Sequence, residues 1–267
     1  MRKGRNVPLT VYALAVYLFL FAPIVVLILF SFNDSPRNFT WRGFTLEWYP
    51  ALFKDAHVLG ALWVTIQVAA IAVVGSAILG TLLGLGLARL RSGFGGGLAD
   101  TLILLPMVTP EVVMGISLLL FFALLFDAHG SILQIAISHI AFSISYVAIV
   151  VRARAVSLDP RIVEAARDLG SSPLSAFWHV TLPLLMPAVG AGAMIAFALS
   201  FDDLIITSFQ AGPGSSTLPL YIYSRIRFGV TPEINAISTI IVAVTAVIIL
   251  VAWRIGAVRP AKPQPVV

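Results

Sequence analysis

Three carboxylates, Glu111, Asp202 and Asp203, stand inside or beside strongly apolar stretches of this 267-residue chain. A carboxylate is costly in hydrocarbon, so residues of this kind usually face a cavity or a partner. The chemistry they offer is electrostatic. Negative side chains at the mouth of an apolar passage lower the energy of an entering cation, and no basic side chain in the apolar core repels it. The arrangement therefore suits a cationic solute better than an anionic one. Glu111 lies in Pro106-Met107-Val108-Thr109-Pro110-Glu111, where two prolines four apart predict a break or kink that turns backbone carbonyls toward a cavity. Asp202 and Asp203 follow Ser200-Phe201. Adjacent residues on a helix point about 100° apart, so at most one of this pair aims straight at a passage. The other is free to cap, to pair with arginine or to support the backbone.

A second polar feature interrupts the apolar pattern at residues 164–187, EAARDLGSSPLSAFWHVTLPLLMP. Asp159 is placed to cap a helix that starts at Pro160 and runs through Glu164-Ala165-Ala166-Arg167-Asp168. Gly170 is the natural residue just past its end. Ser171 or Ser172, followed by Pro173, then restarts a second short helix that is expected to end at Leu182-Pro183. The result is a helix-turn-helix outside the bilayer. Ala165, Ala166 and Gly170 are small enough to let another protein's surface come close.

Composition sets the environment of these features. The chain is 59% hydrophobic and 11% charged, against roughly 25% charged in an average soluble domain. It reads as an integral membrane protein. Stretches long enough to cross a bilayer, about 20 apolar residues each, fall near 9–32, 59–88, 101–126, 131–151, 184–206 and 234–255. Six spans put both ends on one side. Residues 59–88 exceed what is needed, so that helix tilts or protrudes.

Basic residues give the orientation. One face collects Arg2, Lys3, Arg5, Arg89, Arg91, Arg152, Arg154, Arg161, Arg167, Arg254, Arg259 and Lys262, and the other Arg37, Arg42, Lys54, Arg225 and Arg227. Twelve against five places both termini and the 156–183 loop in the cytoplasm. Asp202 and Asp203 then lie near the outer end of the fifth span. The sequence pI near 9.9 is on this reading a topology signal, because the basic residues flank spans and form no patch interleaved with aromatics; nucleic acid is not an expected partner. Residues 1–8 and 256–267 read as cytoplasmic ends of a transmembrane domain covering 9–255. The first apolar run continues through Phe30, longer than a signal-peptide core and without a small-residue cleavage site, so a retained helix is expected.

Several classes drop out. With no cysteine there is neither a disulfide framework nor a thiolate metal site. His57, His129, His139 and His179 are scattered, and His139, in the middle of the fourth span, reads as a packing or interhelical hydrogen-bonding residue and not as a metal ligand. Gly93-Phe94-Gly95-Gly96-Gly97 lacks the GK[ST] ending of a phosphate-binding loop and is expected in a short cytoplasmic turn. The chain carries no ATPase site and no catalytic constellation. It is not expected to be an enzyme.

The polar segment resembles the EAA loop of importer-type ABC permeases, in which EAA is followed four residues after its second Ala by Gly and then by a downstream LP. The matching positions are Glu164, Ala165, Ala166, Gly170, Leu182 and Pro183. The resemblance narrows over Leu199-Ser200-Phe201-Asp202-Asp203-Leu204-Ile205-Ile206-Thr207-Ser208-Phe209, Ala211-Gly212-Pro213-Gly214, Thr217-Leu218-Pro219, Tyr221-Ile222-Tyr223-Ser224 and Gly229-Val230-Thr231-Pro232-Glu233-Ile234-Asn235-Ala236. These stretches look like the spermidine/putrescine (PotC/PotI-type) subfamily. Pro106 through Gly115, Ser31-Phe32-Asn33 and Trp48-Tyr49 match as well, so the likeness runs from about residue 12 to 255.

The resemblance implies an all-α type I ABC importer permease fold in a bacterial inner membrane, with six transmembrane helices and a cytoplasmic loop of coupling helices. It implies a heterocomplex of this chain, a second related permease, two ATPase subunits that bind ATP and Mg, and a periplasmic polyamine-binding protein. Glu164, Ala165, Ala166, Arg167, Asp168, Gly170 and Pro183 would couple to the ATPase, with Asp202, Asp203 and Glu111 on the substrate pathway or its gate. The EAA loop specifies only the superfamily. Permeases for opines, amino-acid-like amines, aminoethylphosphonate and ferric ion share parts of the pattern, and a non-ABC membrane protein, for instance a membrane enzyme or an ion-coupled secondary transporter, is the competing class. Such a carrier is expected to show inverted repeats with broken helices in matching places, and the broken third span has no evident twin.

The outer loop 207–233, with Gly212-Pro213-Gly214 and Pro219, is expected to form a structured re-entry or short surface helix. Tyr221 and Tyr223 suit interfacial anchoring or docking of the binding protein. Arg225 and Arg227 could meet carboxylates of that protein or of Asp202 and Asp203. The first outer loop, 33–58, with Trp41, Trp48 and Tyr49, is a second candidate for the same surface.

Overall fold

The computed structural model describes the backbone over residues 7–35, 40–90, 94–127, 130–227 and 229–255. Much of the expected basic flank (Arg2, Lys3, Arg5, Arg37, Arg91, Arg259 and Lys262), together with His129, Gly93 and the tail after residue 255, lies outside the described residues. The chain is built from helices: α1 (Val7–Phe30), α2 (Trp48–Leu52), α3 (Ala56–Arg89), α4 (Phe94–Val108), α5 (Glu111–Phe126), α6 (Ile132–Val156), α7 (Arg161–Asp168), α8 (Pro173–Ala176), α9 (Leu182–Phe201), α10 (Ile205–Gln210), α11 (Leu218–Ile226) and α12 (Pro232–Ile255). The extended pairing among the described residues is a single antiparallel bridge between Asn33 and Phe44.

Among the described residues four helical stretches are long and apolar enough to cross a membrane, Leu9–Phe30, Ala56–Arg89, Ile132–Val156 and Pro173–Phe201. The pair α4 and α5 makes a fifth when counted as one broken span. The two halves meet at 103°, across Thr109 and Pro110, so the proline-rich stretch breaks the helix as its sequence predicts. Pro106 stays inside α4, and the break falls at the second proline, whose preceding residue is pushed out of the helical region by the ring. The glycines expected in a turn are found elsewhere: α4 already begins at Phe94, so Gly95, Gly96 and Gly97 form its first turn, where backbone N–H groups have no intrahelical partner in any case.

Two compact units divide the chain. One comprises Met1–Leu59 with Ile222–Val267. In it the buried Asn33 ties together described residues of the 33–58 loop: its side-chain amide donates to the Thr40 carbonyl at 2.9 Å and accepts from the Arg42 amide at 3.0 Å. The Asn33 carbonyl accepts from the Trp48 indole at 3.0 Å, and Ser31 Oγ lies 2.8 Å from the Tyr49 hydroxyl. The aromatic residues singled out in this loop are thus partly structural.

The other unit is Gly60–Tyr221, and α6 is its spine. Val64 and Val68 of α3 pack on Ile135 and Ala136 at one end of α6. Val147 and Val151 further along pack on Leu185 and Ala196 of α9, and Ala148 packs with Leu87 of α3 and Ile103 of α4. Asp100 of α4 takes a two-pronged ion pair from Arg152 of α6. The sequence supplies the start of α6 as well, since Ser131 Oγ accepts from the Gln134 amide at 3.1 Å, a side-chain N-cap.

Candidate functional site: an exposed helix pair and a carboxylate turn at the end of α9

The polar interruption folds as a helix-turn-helix. Asp159 Oδ1 accepts from the Arg161 amide at 2.9 Å, so the aspartate caps α7 as its position predicts, with Pro160 already in helical geometry. At the other end Gly170 has φ +88°. The Ser171 amide donates to the Ala166 carbonyl at 3.1 Å and the Gly170 amide to the Arg167 carbonyl at 2.9 Å. Those two bonds make a Schellman motif, which needs a left-handed residue between them and therefore favours glycine. Ser172 Oγ then accepts from the Ser175 amide at 3.2 Å and Pro173 starts α8.

The second helix does not stop at Leu182-Pro183. Residues Phe177–Thr181 form a π turn in which the Leu182 amide reaches back to the Phe177 carbonyl, and α9 follows without a break. Proline lacks an N–H and its ring collides with the carbonyl four residues earlier. Widening the turn to an i→i+5 pattern relieves that collision, so the chain passes through Pro183 and α8 flows into the apolar helix.

Glu164, Ala165, Arg167, Asp168 and Gly170 are all exposed and Ala166 is half-buried. Sequence reading missed the apolar side chains beside them: Leu169 is 89% exposed, Leu174 68% and Trp178 56%. Large apolar groups left out of the core on a polar segment mark a surface that meets something else. A cavity of about 530 Å³ opens next to them, lined by Arg89, Val163, Arg167, Leu174, Phe177 and Thr181 among others.

The carboxylates separate into different environments. Glu111 is the first residue of α5 and is exposed; an anion there is favoured by the unpaired amides of the helix start. Asp203 is held in place. Its Oδ2 accepts from the Thr207 amide at 2.7 Å and the Thr207 hydroxyl at 2.8 Å, its Oδ1 from the Ile206 amide at 3.3 Å, and His139 Nε2 lies 3.2 Å from Oδ2. These bonds cap the start of α10 with a side chain that is 8% exposed. Asp202 ends α9, with its amide on the Ala198 carbonyl, and is itself exposed. His139 also meets Ser200 Oγ at 2.8 Å through Nδ1, which agrees with its reading as an interhelical hydrogen-bonding residue.

A second buried network, absent from the sequence reading, fixes α10 at its other end. Gln210 Nε2 donates to the Gly115 carbonyl at 3.0 Å, and Gln134 Nε2 donates to Gln210 Oε1 at 2.7 Å. A Cβ at Gly115 would sit 2.5 Å from Phe209 Cδ2, so α10 and α5 touch through a missing side chain. In the stretch 207–233, where a structured re-entry or short surface helix is expected, the structure has the helix α11, and α10 enters that stretch from Ile205 with Ile206, Thr207 and Gln210 buried. The Leu218 amide that opens α11 donates to Thr65 Oγ1 at 2.7 Å.

Tyr223 carries Arg227 over its ring at 4.9 Å, with a 3.4 Å bond from the guanidinium to its hydroxyl, and Arg225 pairs with Glu233 at 3.8 Å. Tyr221 is half-buried near the middle of α11.

Residues 80–258 match the model of a family described as binding-protein-dependent transport system inner membrane components. The chain belongs to that family. It is 40% identical over 246 residues to the putrescine transport system permease protein PotI of Escherichia coli K12, covering 90% of this chain and 88% of that one. It is 37% identical over 242 residues to the spermidine/putrescine transport system permease protein PotC of the same strain, covering 91% of each. Among solved structures it superposes with a TM-score of 0.72 at 17% identity on a chain of a bacterial ABC transporter that imports alginate, over 96% of this chain and 95% of that one. A chain of the MetNI methionine ABC transporter gives 0.62 at 15% identity, over 80% of this chain and 100% of that one. This permease therefore shares the fold of ABC transporter membrane subunits.

Proposed function

We propose that this chain is one permease subunit of an ATP-driven importer that takes a polyamine, putrescine or spermidine, from a periplasmic binding protein and releases it into the cytoplasm. The observation that carries the reading is the exposed helix pair α7–α8: a capped, glycine-terminated turn that presents Leu169, Leu174 and Trp178 outward. That surface suits docking into a separate ATPase subunit, which supplies ATP and Mg chemistry that this chain lacks. The cargo reading is supported by 40% identity to a putrescine permease across nine-tenths of the chain and by the exposed carboxylate of Asp202.

In this account six spans cross the inner membrane, both termini are cytoplasmic, and a second related permease faces this one around the passage. α12 supplies the sixth span, and the α4–α5 pair is the broken third. Glu164 and Arg167 anchor the helix pair on the ATPase, Ala165 and Ala166 allow close approach, and Asp168 and Gly170 shape the turn. Pro183 and the π turn before it pass the displacement into α9, whose far end carries Asp202. Closing of the ATPase dimer thus opens the passage to the docked binding protein, and hydrolysis resets it. Tyr221, Tyr223, Arg225 and Arg227 contribute to contact with the binding protein, and Glu111 at the broken span lies on the solute pathway or its gate as a further contact for a cation.

The test is uptake of labelled putrescine and spermidine into proteoliposomes holding the complete complex. Uptake that requires ATP and the loaded binding protein supports the reading. Uptake driven by a proton or sodium gradient without any ATPase subunit contradicts it. ATP-dependent uptake of an opine, an aminoethylphosphonate or ferric ion in place of either polyamine keeps the importer and replaces the cargo.

A further inference from the structure

His139 lies 2% exposed on α6, and its two ring nitrogens face different elements. Nδ1 is 2.8 Å from Ser200 Oγ in the last turn of α9, and Nε2 is 3.2 Å from Asp203 Oδ2 and 3.1 Å from Thr207 Oγ1 in α10. A carboxylate can only accept, so Nε2 is the nitrogen that carries a proton toward Asp203. The ring thereby grips both sides of the turn that carries Asp202. Without that grip Asp203 keeps its bonds from the Ile206 amide and from the Thr207 amide and hydroxyl, but the turn between α9 and α10 loses its tie to α6.

We propose that His139 is a positioning residue for solute recognition: by tying Ser200 and Asp203, on either side of the turn, to α6, it fixes where Asp202 is presented at the end of α9. The proposal rests on the reading of Asp202 as a contact for a cationic solute. His139 is buried and acts through the turn, not by touching the solute. It also fixes which ring atom matters. Glutamine at this position places an amide N–H near the site of Nε2, whereas leucine fills a similar volume and donates nothing.

The experiment measures the concentration dependence of polyamine uptake by the complete complex with His139→Gln, His139→Leu, Asp202→Asn and the double variant His139→Leu/Asp202→Asn. Assembly and thermal midpoint report folding separately. His139→Leu and Asp202→Asn each raise KM by about tenfold, the scale of one hydrogen bond to a charged group. His139→Gln stays near the wild-type KM. The double variant is no worse than Asp202→Asn, because both changes act on one group.

Equal KM increases for Gln and Leu overturn the proposal, as does a Leu variant that lowers only yield or maximal rate, or a double variant in which the two effects multiply. Should His139→Leu fail to assemble, His139→Asn replaces it, since asparagine reaches toward Ser200 but falls short of Asp203. An unchanged KM in Asp202→Asn removes Asp202 as a solute contact and this role of His139 with it. A raised KM there with multiplying effects removes the role of His139 alone.

Discussion

Asp203 Oδ2 accepts from both the amide and the hydroxyl of Thr207, at 2.7 and 2.8 Å, while the preceding residue, Asp202, is exposed. Two like residues in adjacent positions thus have separate environments. Asp203→Ala removes the cap of α10 and is expected to lower stability by about 0.5–2 kcal/mol from that loss. Asp202→Ala is expected to change stability by less than about 0.5 kcal/mol, as surface substitutions do. Thermal unfolding of the purified complex distinguishes them, and equal shifts would count against the assignment of the cap.

Gly170 gives a cleaner test of coupling. A Cβ there meets nothing within 4 Å, yet its φ is +88°. The penalty for Gly170→Leu is therefore a backbone one, about 1–2 kcal/mol, and it falls on the turn between α7 and α8. The expected outcome is a complex that assembles and hydrolyses ATP but moves little solute. Gly170→Asn, which tolerates this conformation better, retains more transport. Paired ATPase and uptake assays on both variants check the order, and full coupled transport in the Leu variant would remove the turn from the mechanism.

Packing between α5 and α10 predicts a compensating pair. Gly115→Ala forces a methyl to within 2.5 Å of Phe209 Cδ2 and is expected to destabilise by about 1–3 kcal/mol, the usual range for overpacking. Shortening the ring in Gly115→Ala/Phe209→Leu recovers part of that loss. The melting temperature of the detergent-solubilised chain, measured for the two singles and the double, is the check. Strict additivity would mean that the two residues are not in contact.

What was legible in the sequence was local. The cap by Asp159, the left-handed Gly170, the restart at Ser172-Pro173 and the break at Thr109-Pro110 each depend on residues within one or two turns of each other, and each is present. The networks that fix the carboxylate turn depend on partners far apart in the chain: Gln210 and Gly115 are 95 residues apart, Gln134 and Gln210 76, and His139 and Asp203 64. No spacing rule joins such pairs, and an Asn or Gln in an apolar run looks the same whether it meets a side chain or a solute. The continuation through Leu182-Pro183 was hidden for another reason. Proline signals a helix end in isolation, and only the π turn before it makes room for the chain to carry on.

The central claim is that α7 and α8 couple this permease to an ATPase that responds to a polyamine-loaded binding protein. Its most direct test is the ATPase rate of the complete complex in lipid nanodiscs, titrated with the binding protein loaded in turn with spermidine, with putrescine, with an amino-acid-like amine or with nothing. The account predicts stimulation by the polyamine-loaded protein above the other two. Equal stimulation by every form, or no ATPase activity in any complex that contains this chain, would contradict it.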